Sequence, residues 1–350
     1  MTTKILLDSF RDWRDQELPL VLASVFDTEG STYSKAGARM LINADGDFQG
    51  MLSGGCLEGD LAERAREVLN TGKAQMITYD LGMNEEELWG LGVGCDGVMR
   101  IFLQPLVAEN DYAPFEAIAR AYEGDQQEIA VTVLESERIM PGATLVTAGE
   151  ERIVYDLTDE QAECLLGAAK SALESQASSS VSVEIGGARA TILLALINPQ
   201  IRLLVLGAGP DAVPVTRLAD ELGWRVTVVD HRPAYVESGN FETAERVVCC
   251  PAEEMSVNID LPKFDAAIVM SHHLVSDRTY LTQLSDSGMQ YVGLLGPIDR
   301  RRRLLKELGD AASDLQDRLH GPAGVDIGAQ GPAAIALSIL TEMYGVLADR

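Results

Sequence analysis

The feature that most constrains this chain is a junction near residue 207. There an apolar run, Leu203-Leu204-Val205-Leu206, breaks into Gly207-Ala208-Gly209 and continues into a segment with helical spacing. A second apolar strand, RVTVVD, ends at Asp230, about 20 residues further on. Strand, glycine turn, helix, strand and acid in this order make a parallel α/β unit of the dinucleotide-binding kind. In such a unit the glycines let a pyrophosphate reach a helix N-terminus, and the acid accepts hydrogen bonds from a ribose. Gly207, Gly209 and Asp230 are therefore candidate cofactor-binding residues, Arg232 offers a seat for a 2′-phosphate, and NAD(P) is a candidate cofactor. A turn kept only for packing would read the same way.

Three more strands, RVVCC, DAAIVM and YVGLLG, alternate with helical segments, and a last helix opens at Pro332. Residues 198–350 are thus expected to form a Rossmann-like domain with a parallel sheet, entered through the linker Asn198-Pro199-Gln200. Residues 1–197 have another pattern. VLASVFD and ARMLINAD read as strands, Leu57 to Asn70 as a helix, and AQMITYD and VMRIFLQPL as strands. The order then recurs: AVTVLE matches LASVFD, PGATLV matches AGARMLI, and a helix through TDEQAECLLGAAKSALES precedes SVSVEI. The fold class expected is α/β, with an N-terminal α+β domain built on a degenerate internal duplication and a C-terminal Rossmann-like domain.

Only the first copy carries cysteine in glycine turns. Gly54-Gly55-Cys56-Leu57-Glu58 puts a thiol and backbone N–H groups at a helix start, which favours anions. Gly92-Val93-Gly94-Cys95-Asp96-Gly97 puts a second thiol among residues without bulk, so a large ligand could reach its sulfur. Taken singly, either cysteine is as well explained by core packing. Cys164 and the pair Cys249-Cys250 are expected to pack in the core. With 5 cysteines, an odd number, a disulfide framework is not expected. Downstream, Arg300 to Arg303 with Lys306 suggest either an anion seat or a solvated helix face, and Ser271-His272-His273 follows a strand where parallel sheets place ligand residues.

The chain has 54 acidic against 28 basic residues, a net charge of −26, so binding to nucleic acid or an anionic membrane surface is not expected. The N-terminus carries acids where a secretory signal needs basic and then apolar residues, which points to a cytoplasmic protein.

GSTYSKAGARMLI, GMLSGGCLEGDLAERAREVL, WGLGVGCDGVMRIFLQPL, LLVLGAG, VTVVDHRPAY, YVGLLG and GVDIGAQGPAAIALSI together resemble the XdhC/CoxI family, accessory factors of molybdenum hydroxylases such as xanthine dehydrogenase. The resemblance runs in one order from about Val21 to the C-terminus. It implies a chaperone that binds the molybdenum cofactor (molybdopterin), supports its sulfuration with a cysteine desulfurase, and delivers it to the hydroxylase, with a homodimer as the expected assembly. It also implies cofactor-binding roles for Cys95, with Gly94 before it, and for Cys56 with Gly54, Gly55 and Glu58; Cys95 is the implied molybdenum contact. Tyr33-Ser34 depart from the Pro-Arg of the family pattern, leaving Lys35 and Arg39 as the nearby cations. The competing expectation is an NAD(P)-dependent oxidoreductase. No histidine lies before residue 231, so the first domain lacks an evident acid/base pair for it.

Overall fold

A computed structural model describes residues 2–81, 97–309 and 311–348, and the chain divides into two compact units, Met1–Pro199 and Gln200–Arg350.

In the first unit α1 (Thr3–Asp15) precedes β1 (Leu20–Glu29), β2 (Arg39–Asn43) and β3 (Phe48–Gln49); α2 (Glu58–Thr71), β4 (Gln75–Asp80) and β5 (Val98–Leu106) follow. The strands form an antiparallel sheet in the order β3-β2-β1-β5-β4. The cycle runs again through α3 (Phe115–Glu123), β6 (Glu128–Ser136), β7 (Thr144–Ala148), β8 (Glu151–Tyr155), α4 (Asp159–Ser175), β9 (Ser179–Ile185) and β10 (Ala188–Ile197). Its sheet order, β8-β7-β6-β10-β9, repeats the first strand for strand. The duplication reaches further than the sequence pattern indicated, because α1 and α3 are also equivalent. Their sequences share little beyond an apolar face, on which Phe10 and Phe115 meet edge to face at 4.8 Å.

Both copies close their first hairpin identically. Val25 N–H donates to Ala38 O at 2.9 Å and Gly37 N–H to Val25 O at 2.8 Å; in the second copy Val133 donates to Ala143 O and Gly142 to Val133 O, both at 2.8 Å. The central strand β1 is apolar on both faces because both are covered. Val21, Ala23 and Val25 pack with Leu61, Ala65 and Val68 of α2, while Leu20 and Leu22 pack with Leu7, Phe10 and Ile118. Phe26, Phe102, Leu134 and Leu193 join the two copies in a shared apolar cluster.

The second unit comprises β11 (Arg202–Leu206), α5 (Ala212–Glu221), β12 (Arg225–Asp230), α6 (Pro233–Val236), β13 (Arg246–Cys249), α7 (Met255–Asn258) and β14 (Ala266–Val269). It continues with α8 (Leu274–Leu284), β15 (Tyr291–Leu294), α9 (Ile298–Leu308), α10 (Ala311–Leu315), β16 (Leu319–His320) and α11 (Pro332–Ala348). All pairings are parallel, in the order β13-β12-β11-β14-β15-β16. The order reverses between β11 and β14, which opens the crevice where such sheets take ligands. One face is covered by α5 and α11 through Val215, Ala219, Ile339 and Met343, the other by α8 through Tyr280, Leu281 and Leu284. This is the Rossmann-like fold expected.

Two cysteines depart from expectation. Cys164 is exposed because α4 buries the stripe Ala162, Leu165, Ala169 and Ala172, and Cys164 points off it. Cys249 is exposed because it ends β13, the sheet edge; Cys250, just past it, is buried. Among the described residues no helix is long and apolar enough to cross a membrane.

Gly207 has φ +128°, and a Cβ there would lie 2.5 Å from Met270 O. A side chain would push β11 and β14 apart as well as strain the backbone. Gly207→Ala is expected to cost roughly 2–4 kcal/mol, seen as a lower urea midpoint; an unchanged midpoint would contradict this packing.

Candidate functional site

At one end of the first sheet, three segments converge. The loop after β1 lays the Tyr33 ring against Gly54, with Tyr33 Cδ2 3.2 Å from where a Gly54 Cβ would stand. Ser34 Oγ donates to Met51 O at 3.2 Å. Gly97, which follows the segment carrying Gly94 and Cys95, fits so closely that a Cβ would meet Glu29 O at 2.5 Å and Ser31 O at 2.6 Å. Gly94 and Cys95 themselves lie outside the described residues.

The turn before α2 is organised by Glu58. This side chain is 1% exposed, and among the described residues no cation pairs with it. Instead Oε1 accepts from the N–H groups of Leu52 at 3.0 Å and Ser53 at 2.9 Å, and Oε2 from Gly55 N–H at 3.0 Å and Leu57 N–H at 3.2 Å. The Ser53 hydroxyl adds a bond of 2.5 Å to Oε2. Burial pushes the carboxyl pKa up, but the Ser53 hydroxyl and the Ser53 and Leu52 amides outweigh it and hold the group below its ordinary value. The Gly55 N–H that sequence offered to a ligand anion is thus already given to Glu58, a partner no sequence spacing reveals. What the turn presents is Cys56, a half-buried free thiol just before the helix. Sequence reasoning misses the parts played by Ser53 and the Tyr33 ring; SGGC-x-E signals Ser53 only once the turn conformation is known.

In the second unit Asp230 plays a matching part. It is 1% exposed; Oδ2 accepts from Ala208 N–H at 2.7 Å, inside the glycine turn, and from Arg232 Nη2 at 2.7 Å. Oδ1 accepts from Arg232 N–H and Nε, both at 2.9 Å. Burial raises the Asp230 pKa, and Arg232 with the Ala208 amide more than reverses it, so the group is an anion held below the usual carboxylate range. Asp230 thus ties Arg232 to the Gly207–Gly209 turn. Asp230 is spent on its own turn, and the Arg232 guanidinium lies over the Tyr235 ring at 4.0 Å.

The arginine cluster proves mostly self-neutralised. Arg300 forks onto the buried Asp277 carboxylate at 3.0 and 2.5 Å, Arg301 donates to Leu319 O, Arg302 pairs with Asp299 and Arg303 with Glu307. Of the histidines, His273 caps α8, its Nδ1 accepting from Ser276 N–H, and His272 Nε2 lies 2.6 Å from Asp211 Oδ2 at the start of α5. Among the described residues no group of three His, Cys, Asp or Glu is placed to hold a metal.

Together these features define a protein with a duplicated antiparallel unit, whose first copy alone carries a thiol on a carboxylate-locked turn, and a Rossmann unit with its own locked turn. A model described as the XdhC and CoxI family matches residues 13–80, and one described as the XdhC Rossmann domain matches residues 203–343. A Bacillus subtilis (strain 168) protein described as a probable subunit of xanthine dehydrogenase is 30% identical over 329 residues, 94% of this chain and 93% of that protein. The molybdenum cofactor insertion chaperone PaoD of Escherichia coli (strain K12) is 22% identical over 93% of this chain and 83% of its own length. A crystal structure described as a xanthine dehydrogenase from Bacillus halodurans superposes with a TM-score of 0.81 at 26% identity, covering 100% of this chain and 97% of that one. The chain belongs to the XdhC and CoxI family.

Glu58→Gln replaces two acceptor oxygens by one and sets an amide N–H₂ against backbone donors, which is expected to cost about 2–3 kcal/mol at neutral pH. Because the folded pKa is lowered, the advantage of wild type is fully present above the unfolded value near 4.5 and shrinks as pH falls through the folded value. Urea melts of both proteins from pH 7 down to pH 3 check this; a gap that does not narrow would contradict the assignment.

Proposed function

We propose that this chain is a molybdenum cofactor chaperone, binding molybdopterin through its first unit and delivering it to a molybdenum hydroxylase of the xanthine dehydrogenase kind. The observation that carries the reading is the asymmetry of the duplication: one architecture occurs twice, and only the first copy has glycine turns bearing thiols. Membership of the XdhC and CoxI family, with one relative named as part of a xanthine dehydrogenase and another as a cofactor insertion chaperone, supports the same assignment.

The donor chemistry at Cys56 fits the cofactor. A half-exposed thiol stands just before a helix start, and Glu58, the carboxylate two residues on, is 1% exposed with its oxygens taken up by the N–H groups of its own turn. When bound, the cofactor would supply a molybdenum centre that a cysteine thiolate could ligate. Cys56 and Cys95 serve as thiol contacts, Cys95 to the metal; Gly54 admits the Tyr33 ring, Gly55 and Gly94 keep the approach clear, and Glu58 holds the first turn in shape. The Gly207–Gly209 turn, held in shape by the Asp230–Arg232 pair, forms a second seat, for a phosphate of the cofactor or for NAD(P). A cysteine desulfurase provides the sulfur for sulfuration, and the chain acts in the cytoplasm as a homodimer. An NAD(P)-dependent oxidoreductase has less support, since Asp230, the residue that would read the ribose, is engaged by Ala208 and Arg232.

Purified with the cofactor present, the wild-type chain is expected to retain molybdenum and pterin together, and Cys95→Ser and Cys56→Ser to retain roughly tenfold less or lower, the scale on which lost metal contacts act. Metal analysis and pterin fluorescence read both; full retention by the double variant overturns the assignment.

A further inference from the structure

Beside α1 and the start of β2, the first unit has a cavity of about 220 Å³, lined by Thr2, Thr3, Arg39, Gly50 and Tyr122 among others. Among the described residues no acidic one lines it, in a chain with 54 of them. Arg39 is only 8% exposed, and its partners are neutral: Nη1 donates to Tyr122 Oη at 2.8 Å and Nη2 to Ala195 O at 3.4 Å. A buried guanidinium without a counter-anion is costly, and its remaining N–H donors call for an acceptor.

The duplication shows that the fold itself does not require this cation. Arg39 stands opposite Ser24 in the first sheet, as Thr144 stands opposite Thr132 in the second. Thr144 meets its needs locally, its hydroxyl bonding to Thr132 Oγ1 at 3.1 Å and to Gly142 O at 2.8 Å. One copy thus closes the position with neutral hydroxyls, and the other keeps a cation facing a cavity.

Two further features point to the missing acceptor. Thr2 Oγ1 is buried in the structure without a hydrogen-bond partner. Helix α1 begins at the cavity with no side-chain cap and no acid in its first turn, so its positive end is uncompensated by either. The volume admits a small ion with several waters, since each water occupies about 30 Å³.

We propose that this cavity binds a tetrahedral oxyanion, a phosphate either free or at the end of a small organic molecule, held by Arg39 with the Tyr122 and Thr2 hydroxyls and the start of α1. The proposal does not draw on the thiol turns, so its failure would leave the cofactor assignment untouched. Titration calorimetry of the full chain with inorganic phosphate and, separately, with phenyl phosphate tests it. Saturable binding is expected, at least tenfold weaker in Arg39→Ala and several-fold weaker in Thr2→Val, a milder variant that serves should Arg39→Ala not fold. Tighter binding of inorganic phosphate identifies the free ion, and tighter binding of phenyl phosphate identifies an organic phosphate. Absence of binding by both probes, or folded variants that bind as tightly as wild type, overturns the proposal.

Discussion

A carboxylate removed from water has to be matched by donors, and in each unit of this protein one such group fixes the glycine turn at the proposed site. Glu58 finds four backbone N–H groups and a hydroxyl; Asp230 finds the Ala208 amide and the Arg232 fork. Both side chains are almost wholly buried, so neither can give up its partners cheaply. The two turns are therefore held in shape before any ligand arrives, which is the condition under which a binding site loses least on association.

The rest of the first unit is one architecture used twice and differentiated by a few side chains. Identical hairpin closures show how little the backbone has diverged, while Arg39 against Thr144, and the thiol turns against their absence, show where the chemistry has. A net charge of −26 makes that division meaningful, because anions must be drawn to this chain by local features. The Arg39 guanidinium, buried beside a cavity with no acid among its described lining residues, is such a feature.

Much of this was legible in the sequence, for identifiable reasons. The helix read as Leu57 to Asn70 spans Glu58–Thr71, and RVTVVD is β12 to the residue, since apolar periodicity and glycine breaks report burial directly. Hydrogen-bond partners were less accessible. That Glu58 would fill the N–H nest of its own turn, or that Arg300 would fold onto Asp277, depends on backbone directions no spacing rule supplies. The exposure of Cys164 is a matter of helix phase by one residue, and the equivalence of α1 with α3 left almost no trace in residue identity. Arg39 was visible as a cation in an apolar strand, but its lack of a counter-anion was not.

The central claim is that this chain carries the cofactor to an enzyme, and transfer tests it most directly. Cofactor-loaded protein should activate an apo molybdenum hydroxylase of the xanthine dehydrogenase kind faster than the same amount of free cofactor, with molybdenum leaving the chain as activity appears. Activation no faster than that by free cofactor, with the metal remaining bound to the chain, would contradict the account.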